Sequence, residues 1–332
     1  MQRSSARRTA AVLAAAAVLL GGAPGWGASS TTRGEQPAEV AAMALARLLP
    51  HDPASPAQGE AAGDHLPGSR YAYSIPRSTV DRPDTQDGRL VHVVYFLPAD
   101  KPDESLDVAG VLDVSVAAQN AWLARESGGR RWRFDTFEFD APVDGVTRRT
   151  TAYDITFVRS SRPASELHDI TTIDDELVAA GLTQADKRYL IYAAVDGNGS
   201  CGSAYYPLTQ PTNSAADGKY AGVYLDSSAG CRARDFASSI DSPGMTETIA
   251  QQEIMHNDGV VPLSAPHQCV PNYLHVCTPG LALTGLDPER FDILFPYVGV
   301  PLRDKKLDLG RDDYFSAPGT IRDLARSPFL TS

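Results

Sequence analysis

The chain has 332 residues, a formal net charge of -11 and four cysteines. That acidic balance argues against nucleic acid as a partner, because phosphate binding needs a basic surface. The length allows one large domain or two small ones.

The N-terminus reads as an export signal. Arg3, Arg7 and Arg8 precede an apolar, Ala-rich run from Thr9 to Leu20, too short for a stable membrane anchor, and small residues follow it. Residues 1–28 are therefore expected to be a signal peptide, with Arg7-Arg8 leaving both the Sec and the twin-arginine route open. No later run is long enough to span a membrane, so the mature protein is expected to be secreted and soluble. All four cysteines lie beyond this segment, which suits an oxidising compartment. Pairing Cys201 with Cys231 and Cys269 with Cys277 closes two short loops, each within one polar, turn-rich segment. The rival reading, a four-cysteine metal site, lacks the usual C-x2-C spacing.

Residues 29–87 are rich in Ala, Pro, Gly, Ser and charge, with few large apolar side chains. Ala38–Leu49 is expected as one short helix. The rest reads either as a mobile leader or as a pro-segment lying against the domain. His51 and His65 fall here and are expected to be exposed.

The folded domain is expected over residues 88–325. Arg89–Leu97 is almost continuously apolar and β-branched, the pattern of a strand covered on both faces, with His92 a structural histidine inside it. Leu106–Arg125 carries apolar residues at helical spacing and stops at Gly128-Gly129. Trp132–Phe139 alternates aromatic and polar residues, as a half-buried strand does. Tyr153–Val158 is a weaker strand, Ile173–Ala180 a short helix ended by Gly181, and Arg188–Val195 a second strongly apolar strand. After a long turn-rich excursion, Tyr220–Leu225 returns as another strand. Ser242-Pro243 supplies an N-cap and a first-turn proline for a last helix, which Gly259 ends. Beyond it little regular structure is expected.

That last helix carries the chemistry. In H-E-x-x-H the two histidines stand one turn apart and bind the same zinc, while the Glu acts as general base on the bound water. Glu253 and His256 occupy the Glu and second-His positions, and Gln252 occupies the first. The order of elements, the helix ending at glycine just after His256 and the loop-rich C-terminal part resemble the metzincin clan of zinc metallopeptidases. The closer resemblance is to secreted actinobacterial proteins carrying H-E-x-x-H-x-x-G-A-V, then A-P-H, a D-I-M-Y-P-Y-like turn and a D-x-x-x-D-D-Y-Y-like tail. This chain has Gln252-Glu253-Ile254-Met255-His256-Asn257-Asp258-Gly259-Val260-Val261, Ala265-Pro266-His267, Asp292-Ile293-Leu294-Phe295-Pro296-Tyr297, and Asp308 to Phe315.

The resemblance implies an α/β fold: a metzincin-like mixed sheet with a backing helix and an active-site helix, and a loop-rich C-terminal subdomain. It also implies a zinc site in which Glu253 is the general base, His256 is one ligand and His267 is a substitute third ligand. The clan's usual third position falls on Pro262, which cannot ligate, and Leu294 stands where the family's turn has Met. Gln252 is the decisive departure, because catalytic zinc takes His, Cys, Asp or Glu, and a neutral amide oxygen is a weak donor beside imidazole. Two functions are therefore expected to compete. One is a degenerate peptidase with weak zinc binding that keeps a cleft for an extended peptide. The other is an active zinc endopeptidase using His256, His267 and either Gln252 or another donor. His275, inside the Cys269–Cys277 loop, reads either as a stray ligand or as an exposed residue, and exposure is expected. The acidic set Asp308, Asp312 and Asp313 reads as a solvated turn or helix caps rather than a calcium loop, and no G-x-S-x-G supports a serine hydrolase.

Overall fold

The structure is a computed structural model, and it describes residues 14–16, 71–206, 219–260, 265–269, 274–278, 281, 287–296, 299–317 and 323–331. The expected Ala38–Leu49 helix, His51, His65, Pro262 and nearly all of the signal segment lie outside the described residues.

Four parallel strands form the centre of the sheet. Strand β2 (Leu90–Leu97) pairs on one side with β5 (Ile155–Arg159) and on the other with β6 (Lys187–Ala193), which in turn pairs with β8 (Tyr220–Tyr224). The short strand β7 (Gly202–Tyr205) adds to β8 antiparallel, and β1 (Ala14–Ala16) lies antiparallel on β7, giving the order β1-β7-β8-β6-β2-β5. The expectation of a mixed α/β sheet is met. Every residue of β2 is buried, because the period-two pleat sends its side chains into two separate cores. Val91, Val93, Tyr95 and Leu97 face α1 (Val111–Ser127), α3 (Met245–Asn257) and the C-terminal segment, whereas Val94 and Phe96 face α2 (Ile170–Ala179).

Beside this sheet stands a hairpin of β3 (Thr136–Val143) and β4 (Val146–Tyr153), closed by Asp144-Gly145 with positive φ at both residues. Positive φ at both central positions is the turn that the right-handed strand twist favours. Cys201–Cys231 and Cys269–Cys277 are both disulfide-bonded, as expected. No helix among the described residues is long and apolar enough to cross a membrane.

The packed chain extends beyond residues 88–325 at both ends. Residues 71–87 lie against the domain: Ile75 is buried and Ser78 bridges to Thr156 on the edge of β5. At the other end the fold runs past Arg326, because Phe329 and Leu330 enter the core and Leu330 bridges to Trp132.

Candidate functional site

Helix α3 is buried at all thirteen residues although eight of its side chains are polar. Such a helix persists only where those groups find partners, since an unpaired buried polar group costs roughly 1–3 kcal/mol. Most find them. Glu247 accepts from Ser115 Oγ and from the Gly244 backbone N–H at 2.6 Å, while Thr246 Oγ1 donates to Ala233 O at 2.9 Å. Trp132 Nε1 donates to Gln251 Oε1 at 2.9 Å, and Asn257 Nδ2 donates to Tyr205 O at 2.9 Å, tying the helix end to β7. The expected N-cap at Ser242 is displaced: the cap is Gly244, pinned by the Glu247 carboxylate three residues on. Only glycine fits there, because a Cβ would collide with the carbonyl oxygen of Asp235. The exit matches expectation, with Gly259 at φ 80 turning the chain away.

Glu253 and His256 are the exceptions. Neither carboxylate oxygen and neither ring nitrogen has a hydrogen-bond partner, and both side chains are buried. Burial alone pushes the Glu253 carboxyl well above the usual carboxylate range and pushes His256 down to about 4. Glu253 lies directly beneath β7, where a Cβ on Gly202 would stand 2.7 Å from Glu253 Cγ. Gly202 is thus required by the close approach of strand and carboxylate.

Gln252 is held on one side only. Its Nε2 donates to Ile293 O at 2.6 Å and to Phe295 O at 2.8 Å, and its Oε1 is buried without a partner. Two facing carbonyls fix which end of the amide is nitrogen, because the oxygen there would be repelled by both. The D-I-L-F-P turn therefore sits under α3 and grips the position where the peptidase motif has its first histidine.

The remaining motifs form a clasp around that turn. Asp292 accepts from Tyr314 OH at 2.7 Å and from the Leu309 N–H at 2.8 Å. Asp308 accepts the backbone N–H groups of residues 312–315, so it is a turn-forming acceptor, buried rather than solvated. Asp313 takes His267 twice: the backbone N–H at 2.8 Å and Nδ1 at 3.1 Å. Although partial burial opposes it, Asp313 raises the His267 imidazole above its ordinary value. His267, Asp312 and Asp313 are also close enough to hold one ion.

His275 departs from expectation. It is buried, not exposed, and its ring meets that of His256 edge-on with centroids 4.8 Å apart. Burial, then the neighbouring His256 and Lys305, depress its imidazole well below the ordinary value. The structure therefore brings the buried rings of His256 and His275 together, with Gln252 and Glu253 buried on the same helix as His256, while His267 takes its contacts from Asp313 and Asp312. The sequence signal for His275 is its place inside the Cys269–Cys277 loop.

Buried nitrogen and oxygen atoms without hydrogen-bond partners at Gln252, Glu253 and His256 are compatible with a bound cation. The donors suit zinc incompletely, since one position offers a neutral amide oxygen where an imidazole is expected. Another group, Asp81, His92, Asp135 and Asp154, is also close enough for an ion. There the Lys187 ammonium already reaches Asp81 at 2.7 Å and Asp135 at 2.8 Å, and also pairs with Asp84, so the cation is the protein's own. Comparison with known proteins gives no matching family model, no matching curated protein and no matching solved structure.

Proposed function

We propose that this is a secreted, metzincin-like protein whose peptidase centre has lapsed into a weak metal-holding one, and which keeps a groove for an extended peptide. The observation that carries the reading is Gln252. Its amide nitrogen is committed to two turn carbonyls, leaving one neutral oxygen where an active centre needs an imidazole. A zinc ion, when bound, would supply a water of lowered pKa. Glu253, one residue along the helix, would be the residue to act as base there, although burial pushes its carboxyl well above the usual carboxylate range.

The groove reading rests on β7. In the clan this protein resembles, substrate lies extended along a sheet edge above the active helix, by strand addition. Here β7 lies over Glu253, and its outer edge accepts Ala14–Ala16 as an antiparallel strand, with Ala15 opposite Ala204. An extended peptide would find the same row of backbone groups. The net charge of -11 and the paired cysteines fit a secreted peptide binder and not a nucleic-acid one.

Calorimetric zinc titration of wild type and Gln252→His tests the reading. The new imidazole stands one turn before His256 on the same face, and affinity is expected to rise by more than about tenfold, the scale on which even outer ligand partners act. Tight stoichiometric zinc in the wild type would overturn the lapsed reading. It would support the second one, an active endopeptidase with Glu253 as base, which the unpartnered state of Glu253 and His256 favours. Hydrolysis of a broad peptide library by wild type would then be its signature.

A further inference from the structure

We infer that His275, and not His267, stands with His256 and Gln252 as the third donor of a divalent-cation site. The inference rests on the lapsed-centre reading and names the ligand set of that centre.

Three segments converge to build it. Gln252 and His256 lie four residues apart, on one face of α3. Val276 donates its backbone N–H to Leu294 O at 3.1 Å, which fastens the residue after His275 to the turn beneath that face. The same turn receives the Gln252 amide from its neighbours Ile293 and Phe295. Cys269 N–H donates to His275 O at 2.8 Å, and the Cys269–Cys277 disulfide closes the loop that carries the ring. His275 is thus held by backbone on both sides, which fixes where its ring can go. It goes against His256 at 4.8 Å between centroids, and Gln252 Oε1, one turn before His256 on α3, is likewise buried.

His267 sits in a different, more open setting. Both its backbone N–H and its Nδ1 are taken by Asp313, and its side chain remains 35% exposed, unlike the buried His256. Its role is to lock the A-P-H segment to the C-terminal tail.

Two imidazole nitrogens and an amide oxygen form a neutral, borderline donor set. Such a set suits first-row ions such as zinc, cobalt and copper, and it is wrong for calcium or magnesium, which want six or more oxygens or retained waters. Glu253, beside the set, is the one carboxyl of α3 without a hydrogen bond.

Cobalt(II) is the probe, because its visible bands report affinity and donor set together without any turnover. Full-length Gln252→His protein is titrated alone, with His275→Gln added, and with His267→Gln added. Adding His275→Gln is expected to weaken cobalt binding by about tenfold or more and to alter the band envelope. Adding His267→Gln is expected to leave affinity within about threefold, below the roughly tenfold cost of losing even an outer partner. A large loss with His267→Gln and none with His275→Gln would overturn the assignment. If Gln252→His alone gains no affinity, the lapsed-centre reading fails, a result distinct from failure of the ligand assignment. Should the His275 variant not fold, as judged by near-UV circular dichroism, 15N-histidine-labelled Gln252→His protein is titrated with zinc by NMR. Movement of the His275 ring resonances with His267 unmoved supports the assignment, and the converse overturns it.

Discussion

At the scale of single residues, the site is defined by what is missing around Glu253 and His256. Gly202 is the neighbour that permits this arrangement. A Cβ there would stand 2.7 Å from Glu253 Cγ and 2.7 Å from the backbone oxygen of Gly222 on the adjoining strand. One of those obstacles is main chain, so the strain cannot be relieved by a rotamer alone. Gly202→Ala is expected to cost ~1–3 kcal/mol, the range for overpacking, read as a lower urea midpoint with an unchanged slope. His256 gives a pH signature. Its imidazole binds a proton below about 6.5 in the unfolded chain, but in the fold only below about 4. Between those values the unfolded chain holds more protons, so stability is lost as pH falls from 6.5 towards 4. The slope is about 1.4 kcal/mol per pH unit at most for one group. In the presence of a chelator, His256→Leu is expected to flatten the urea-unfolding profile over that window. An unchanged profile would mean that the ring is solvated in the native state.

At the scale of elements, the C-terminal motifs work as one clasp whose centre is Lys305. This buried lysine donates Nζ to Arg290 O at 3.0 Å and to Asp292 O at 2.9 Å, fixing the backbone just before the turn that grips Gln252. Lys305→Met would keep the volume and remove the donor, leaving one buried and one half-buried carbonyl short of one partner. At ~1–3 kcal/mol for each such group, chemical denaturation is expected to show a loss of roughly 2–6 kcal/mol. The legibility of these elements varied for physical reasons. Helix α3 was found from its motif and not from periodicity, because a helix buried on every face has no polar side to set the period. Its start was misplaced because the choice of Gly244 over Ser242 depends on Asp235, a tertiary neighbour. Strand β4 was missed although Asp144-Gly145 announces its hairpin, since its Arg- and Thr-rich face lies in water and shows no apolar alternation. Strand β7 is four residues of mostly small side chains, too short to stand out from the turn-rich stretch around it. The burial of His275 is not legible in the sequence, because a small loop between two cysteines is usually exposed and the hydrogen bond from Val276 to Leu294 that holds this one against the turn is a tertiary contact.

At the scale of the molecule, residues 71–87 act as a strap along the open edge of the sheet, beside β5. Phe157 N–H donates to Ser78 O at 2.8 Å, Arg77 pairs with Asp107 at 2.6 Å, and Arg82 pairs with Asp154. A bare strand edge invites pairing with other chains, so covering it also protects the fold from association. The strap's deepest anchor is ionic. Lys187, buried at the start of β6, is shared by Asp81 and Asp84 of the strap and Asp135 of the domain. Burial disfavours the ammonium, yet these three carboxylates hold its pKa above the usual lysine range. Removing one member of such a buried set strands the others, at a cost of ~3–5 kcal/mol. Lys187→Met is therefore expected to destabilise the whole domain by that amount. It should also act locally, because Asp81 and Asp84 would lose the lysine ammonium that holds them to the core. Limited proteolysis separates the two effects: below the unfolding midpoint, the variant is expected to be cut within residues 71–87 while the same stretch of wild type resists. Equal resistance in both proteins would place the anchorage of the strap in Arg77, Arg82 and the backbone bridge at Ser78, and not in the buried ion network.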